Sequence, residues 1–107
     1  MPHDHWIKLC AAADCPPGRA KFVAVEGHEL AVFHLTDPDR FIVTQNSCPH
    51  AGGNLAAGEI ADATVTCPWH EWQFNLDTGA CTLSPTVTLR RYDCKTENGS
   101  VFARLSQ

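Results

Sequence analysis

A chain of 107 residues has room for one domain and not for a second. Hydrophobic residues at 44% and charged residues at 19% exclude a disordered or low-complexity polymer and predict a globule with a core. The formal net charge is −4 and the eight Lys and Arg are scattered, so no basic stripe exists to neutralise a row of phosphates, and nucleic acid is not an expected partner.

In chain order, short runs rich in β-branched and aromatic residues alternate with turn residues. Strands are predicted at Trp6–Cys10, Lys21–Val25, Leu30–Leu35, Phe41–Gln45 and Ala63–Thr66. Further strands are predicted at Trp72–Asn75, Val87–Tyr92 and Val101–Leu105. Asp37-Pro38-Asp39, Asp77-Thr78-Gly79 and Glu97-Asn98-Gly99 supply hairpin turns. Turns this frequent leave no space for long helices, and the chain reads as all-β.

Two segments interrupt the rhythm. Asn46 to Gly58 contains Cys48-Pro49-His50 and Gly52-Gly53 and has no sustained alternation. Cys67-Pro68-Trp69-His70 falls between two predicted strands, and its proline removes a backbone donor that a central strand needs. Each loop therefore brings one Cys and one His.

No apolar run approaches the roughly 18 to 20 residues that span a bilayer, and the start lacks the basic and apolar regions of an export signal, so a cytoplasmic protein is expected. Six cysteines are compatible with a disulfide scaffold, but the spacings pair Cys with His rather than with Cys, which favours metal ligation for Cys48 and Cys67. Cys10, Cys15, Cys81 and Cys94 show no ligand spacing and read as small buried hydrophobes. His3, His5, His28 and His34 carry no assigned role, and Glu59, Asp62, Glu71 and Asp77 read mainly as solvated surface. Pro85 fits a simple turn.

The constellation is Cys48-x-His50, sixteen intervening residues, then Cys67-x-x-His70, with a proline after each cysteine. Two thiolates and two imidazoles suit a structural zinc site, although zinc modules usually space their first pair two to four residues apart. The pattern resembles the Rieske family, whose signature is C-x-H followed by C-x-x-H about sixteen or seventeen residues later. The resemblance covers most of the chain, and Pro85, in Leu83-Ser84-Pro85-Thr86, besides fitting a simple turn, resembles the proline-bearing loop that covers the cluster in this family.

That resemblance implies the Rieske fold: an antiparallel β-sandwich-like base over residues 1–107, with a cluster-binding tip of two loops at about 46–58 and 66–73. It implies one [2Fe–2S] cluster, with Cys48 and Cys67 on one iron and His50 and His70 on the other. It further implies an electron carrier without catalytic residues, similar to the ferredoxins that pass electrons from a flavin reductase to a terminal oxygenase. The alternative within the family is a small subunit of an assimilatory NADH-dependent nitrite reductase; a structural zinc domain is the third reading. High-potential members carry an extra Cys in each loop and a Ser and a Tyr beyond the second ligand His. This chain has Gly53 and Trp69 at the first pair of places and Trp72 and Phe74 at the second, which points to the low-potential end of the Rieske range.

Overall fold

The computed structural model describes residues 6–36, 38–49, 53–68, 72–82, 84 and 86–105. Nine strands occur among them: β1 (Trp6–Ala11), β2 (Ala20–Val25), β3 (His28–Leu35), β4 (Arg40–Gln45), β5 (Glu59–Ala61), β6 (Thr64–Thr66), β7 (Gln73–Asn75), β8 (Arg91–Glu97) and β9 (Ser100–Arg104). Six form one sheet in the order β1-β9-β8-β4-β3-β2, and β5-β6-β7 form a second. Every pairing is antiparallel.

The large sheet is curled, so that its edge strands β1 and β2 touch. Its inner face encloses Cys10, Cys15, Leu30, Val32, Val43, Val101, Ala103 and Leu105. Its other face carries Ala31, Phe33, Leu35 and Ile42, which pack against Val65 of β6 and Phe74 of β7. Strand β3 thus divides two cores. Successive side chains point to opposite faces, and both faces are covered, which is why Leu30 to Leu35 reads as a nearly continuous apolar run instead of an alternating one. Complete burial of Phe33 and Phe74 stabilises this packing by about 1.5 to 3 kcal/mol per ring.

Local turn chemistry fixes the registers. Asn98 and Gly99 have φ of 53° and 77° between β8 and β9, the left-handed pair that a two-residue hairpin turn demands. Glu26-Gly27 between β2 and β3 is built alike, with φ of 49° and 79°. Asp62-Ala63 does the same between β5 and β6, which moves Ala63 out of the strand predicted to begin there.

Two further expectations change. The predicted strand Val87–Tyr92 contributes only Arg91 and Tyr92 to β8, which continues to Glu97. Residues 87–89 instead fold back on residues 79–81: Cys81 N–H donates to the Val87 carbonyl at 3.1 Å, and Leu89 N–H to the Gly79 carbonyl at 2.6 Å. Strand β5 was not predicted, because its three residues are mostly exposed and offer little apolar pattern. The turn at Asp77-Thr78-Gly79 is present, held by the Asn75 side-chain oxygen, which accepts from the N–H groups of Asp77 and Thr78.

Candidate metal centre

The first Cys/His segment leaves β4 at Gln45 and folds back on itself. Asn46 accepts from Leu55 N–H at 2.9 Å, Ser47 bridges Asn54, and Cys48 N–H donates to the Gly53 carbonyl at 2.9 Å. The second is the end of the β6–β7 hairpin. Thr66 pairs with Gln73, and Cys67 N–H donates to the Trp72 carbonyl at 2.7 Å. Each cysteine thus occupies the last paired position of its segment, with four residues of sequence before its bonding partner.

A proline follows each cysteine. Pro49 and Pro68 are exposed, whereas Cys48 and Cys67 are buried, at 2% and 0% exposure. A residue without an N–H is well suited to the place where the ladder stops, because it has no donor to leave unpaired. Cys48 and Cys67 belong to the same apolar cluster, together with Phe33, Leu55, Val65, Phe74 and Cys81, with Trp72 packed against it.

His50 and His70, the other two predicted ligands, lie outside the described residues, as do Trp69, Glu71 and Pro85. Among the described residues no group of three or more His, Cys, Asp or Glu gathers as a metal site. The described half of the donor set suits an iron–sulfur centre. Two thiols that are not joined in a disulfide stand at matching positions of two loops, within one dry cluster. Of the remaining cysteines, Cys10, Cys15 and Cys81 are buried and Cys94 is half-buried, all as free thiols. Burial pushes the Cys15 thiol up to about 11 and also raises those of Cys10 and Cys94, so these groups stay protonated and are poor candidates for ligands.

The other candidates are satisfied elsewhere. His34 is buried on β3, stacked on Phe41, with Nδ1 2.7 Å from the Cys15 carbonyl and Nε2 2.5 Å from Asp39. His28 sets its ring edge against Tyr92. Asp77 accepts from Nε and Nη2 of Arg40 in an exposed ion pair, while Glu59 and Asp62 are exposed.

Three residues not singled out in the sequence prove to shape the site. Gln45 accepts from Arg90 N–H at 2.9 Å and donates through Nε2 to the Ser47 carbonyl at 2.5 Å. Asn46 is buried, and its Oδ1 accepts from Ala56 N–H at 2.9 Å. A Cβ added to Gly58 would stand 2.2 Å from the Thr66 carbonyl oxygen. The available signal for Asn46 was a polar residue immediately after a strand and two positions before a candidate ligand; Gly58 differed from other glycines only in closing the loop.

Comparison with known proteins agrees with this geometry. The Rieske [2Fe-2S] domain family matches residues 5–93. Ferredoxin CarAc of Metapseudomonas resinovorans is 34% identical over 99 residues, 91% of each chain. The matched chain in a solved complex of reduced oxygenase and oxidized ferredoxin in carbazole 1,9a-dioxygenase superposes with a TM-score of 0.84 at 33% identity, covering 95% of this chain and 94% of that one. A structure from Mycobacterium tuberculosis assigned as an NADH-dependent nitrite reductase small subunit gives a TM-score of 0.85 at 28% identity, over 96% of this chain and 97% of that one.

Proposed function

The chain belongs to the Rieske [2Fe–2S] domain family and carries one [2Fe–2S] cluster, and from that premise we propose that it is a one-electron carrier serving a multicomponent oxygenase. The cluster supplies one reversible electron; the chain's own residues hold it, keep one side dry and present the other to partners. Cys48 and Cys67 hold one iron, and His50 and His70 hold the other. Support for this ligand set comes from the spacing and from the matching places of the two cysteines in their hairpins.

Residues 1–107 act as one domain without catalytic residues of its own. Its expected donor is a flavin reductase and its acceptor a terminal oxygenase. The observation that carries this reading is the end-to-end match, 91% of each chain, to a ferredoxin of about the same length. Among the described residues no helix is long and apolar enough to cross a membrane. None of the six cysteines is joined in a disulfide, which suits a reducing cytoplasm.

The nitrite reductase small subunit is the second reading, favoured by the Mycobacterium tuberculosis structure. Purification separates the two. A shuttle leaves the column alone and binds its reductase weakly, whereas a fixed subunit co-purifies with a large sirohaem protein.

Electron paramagnetic resonance of the dithionite-reduced protein, with iron and zinc analysis of the same sample, tests the reading. A rhombic signal with average g below the free-electron value and about two irons per chain is the expected result. Zinc without a signal overturns it.

A further inference from the structure

The two cysteine loops are held in different ways. The second rests on a continuous ladder, Thr64 to Asn75, Val65 to Phe74 and Thr66 to Gln73, which carries Cys67 to its closing bond with Trp72; Gln73 Nε2 adds a side-chain bond to Thr66 Oγ1 at 3.3 Å. The first has one isolated bridge, Ser47 to Asn54, between the Asn46–Leu55 and Cys48–Gly53 bonds. A single bridge does not fix a loop of this length, so something else must set where Cys48 stands relative to Cys67.

Asn46 is placed to do so. Its backbone N–H donates to the Glu29 carbonyl near the start of β3 at 3.0 Å, its carbonyl accepts from Leu55 N–H, and its side-chain oxygen accepts from Ala56 N–H. One buried residue thereby ties the entry of the loop, its exit and the large sheet. The exit continues through Leu55, whose carbonyl accepts from Gly58 N–H at 2.9 Å. Gly58 then lies flat against the Thr66 carbonyl, the residue before Cys67, at a spacing that no side chain tolerates. Its φ of −79° is open to any residue, so glycine is needed there for space and not for backbone freedom.

We propose that Asn46 and Gly58 are positioning residues that together set the separation of the two cluster-binding loops. The proposal rests on the reading of Cys48 and Cys67 as ligands. Asn46 fixes the first loop on the sheet, and Gly58 lets it settle to a defined distance from the second. An added methyl at Gly58 meets backbone, so the loops themselves must move apart, and the cysteines move with them.

The experiment begins with the purified, cluster-loaded wild type, whose resonance signal establishes the ligand reading independently. Gly58→Ala, Asn46→Ala and Asn46→Asp are then compared with it for g-values, midpoint potential and the rate of iron release to a chelator. Gly58→Ala and Asn46→Ala are expected to shift the g-values and the potential and to release iron about tenfold faster, the lower end of the usual effect of supporting residues at metal sites. Asn46→Asp keeps the acceptor for Ala56 N–H and is expected to keep the wild-type g-values. If Gly58→Ala yields no folded protein, the Asn46 pair decides. Unchanged g-values and potential in Asn46→Ala, even with a lower melting temperature, assign the residue to stability alone and overturn the proposal. Absence of the signal from the wild type instead rejects the ligand reading itself.

Discussion

Cys48 and Cys67 stand in equivalent places in two separate hairpins: each donates its backbone N–H to the carbonyl five residues ahead, Gly53 at 2.9 Å and Trp72 at 2.7 Å. Each is the last buried residue before an exposed proline. The equivalence follows from ladder geometry, since a strand that ends in a proline must stop pairing there. A pair of thiols delivered by two such hairpin ends can take one iron between them, and in the proposed ligand set His50 and His70 would take the other.

The ligand assignment is tested one residue at a time. Cys48→Ala, Cys67→Ala, His50→Ala and His70→Ala are each expected to remove the Rieske resonance signal and lower bound iron to background. Far-ultraviolet circular dichroism of the same variants separates loss of the cluster alone from loss of the fold, since the cluster's binding free energy also stabilises the domain. Retention of the full signal by any one variant removes that residue from the ligand set.

The pairing of residues 79–81 with 87–89 depends on Gly79. Its φ is +84°, and an added Cβ would stand 2.6 Å from the Leu89 carbonyl oxygen. Gly79→Ala combines left-handed strain with a backbone collision and should cost about 2 kcal/mol, lowering the melting temperature by about 10 °C for a domain of this size. Gly99 shares the sign of φ, at +77°, but nothing lies within 4 Å of its added Cβ, so Gly99→Ala should cost about 1 kcal/mol. Equal losses in the two variants would show that the Leu89 contact is unimportant.

Most of the fold was legible because hydrophobic alternation and turn dipeptides act locally. Leu30 to Leu35 and Arg40 to Gln45 carry their burial in their own sequence. Glu59–Ala61 and residues 93–97 did not, because these strands are mostly exposed and show no sustained apolar alternation; they form through pairing, β5 with β6, and β8 with β9 and with the distant β4. Cys48 and Cys67 stood out because thiol and imidazole spacing is rare. Asn46 and Gly58 did not, because an acceptor aimed at Ala56 N–H and a missing side chain against Thr66 are properties of the folded loop.

Cys15 gives the protein an alkaline weakness. It is fully buried, its Sγ lies 3.4 Å and 3.6 Å from the carbonyls of Arg19 and Val32, and burial raises its thiol from 9.0 to about 11. Between those values the unfolded chain has lost the proton and the native chain keeps it. The unfolded state then binds fewer protons, so stability falls as pH rises through 9 and stops falling on this account above 11. The loss is on the order of 2 kcal/mol. Melting curves of wild type and Cys15→Ala at pH 8 and pH 10 check it: the wild type should lose more on going to pH 10. Parallel losses would assign the alkaline limb to Cys10 and Cys94, which burial shifts in the same direction.

The reduction potential is set by what surrounds the sulfurs. Phe74 is fully buried in β7, opposite Val65 and bridged to Cys81, in the same cluster as Cys48 and Cys67. Rieske proteins of high potential resemble this chain but place a tyrosine hydroxyl at that position, where a hydrogen bond to sulfur stabilises the reduced, more negative cluster. A phenyl ring supplies no such donor, so the midpoint is expected near the low end of the Rieske range, roughly −150 mV. Phe74→Tyr returns one hydroxyl. A net hydrogen bond of about 1 kcal/mol corresponds to about 40 mV for a one-electron couple, and the midpoint should rise by that amount. Redox titration followed by resonance reads both values: a wild-type midpoint above about +100 mV rejects the low-potential assignment, and an unmoved midpoint in Phe74→Tyr shows that the hydroxyl does not reach a cluster sulfur.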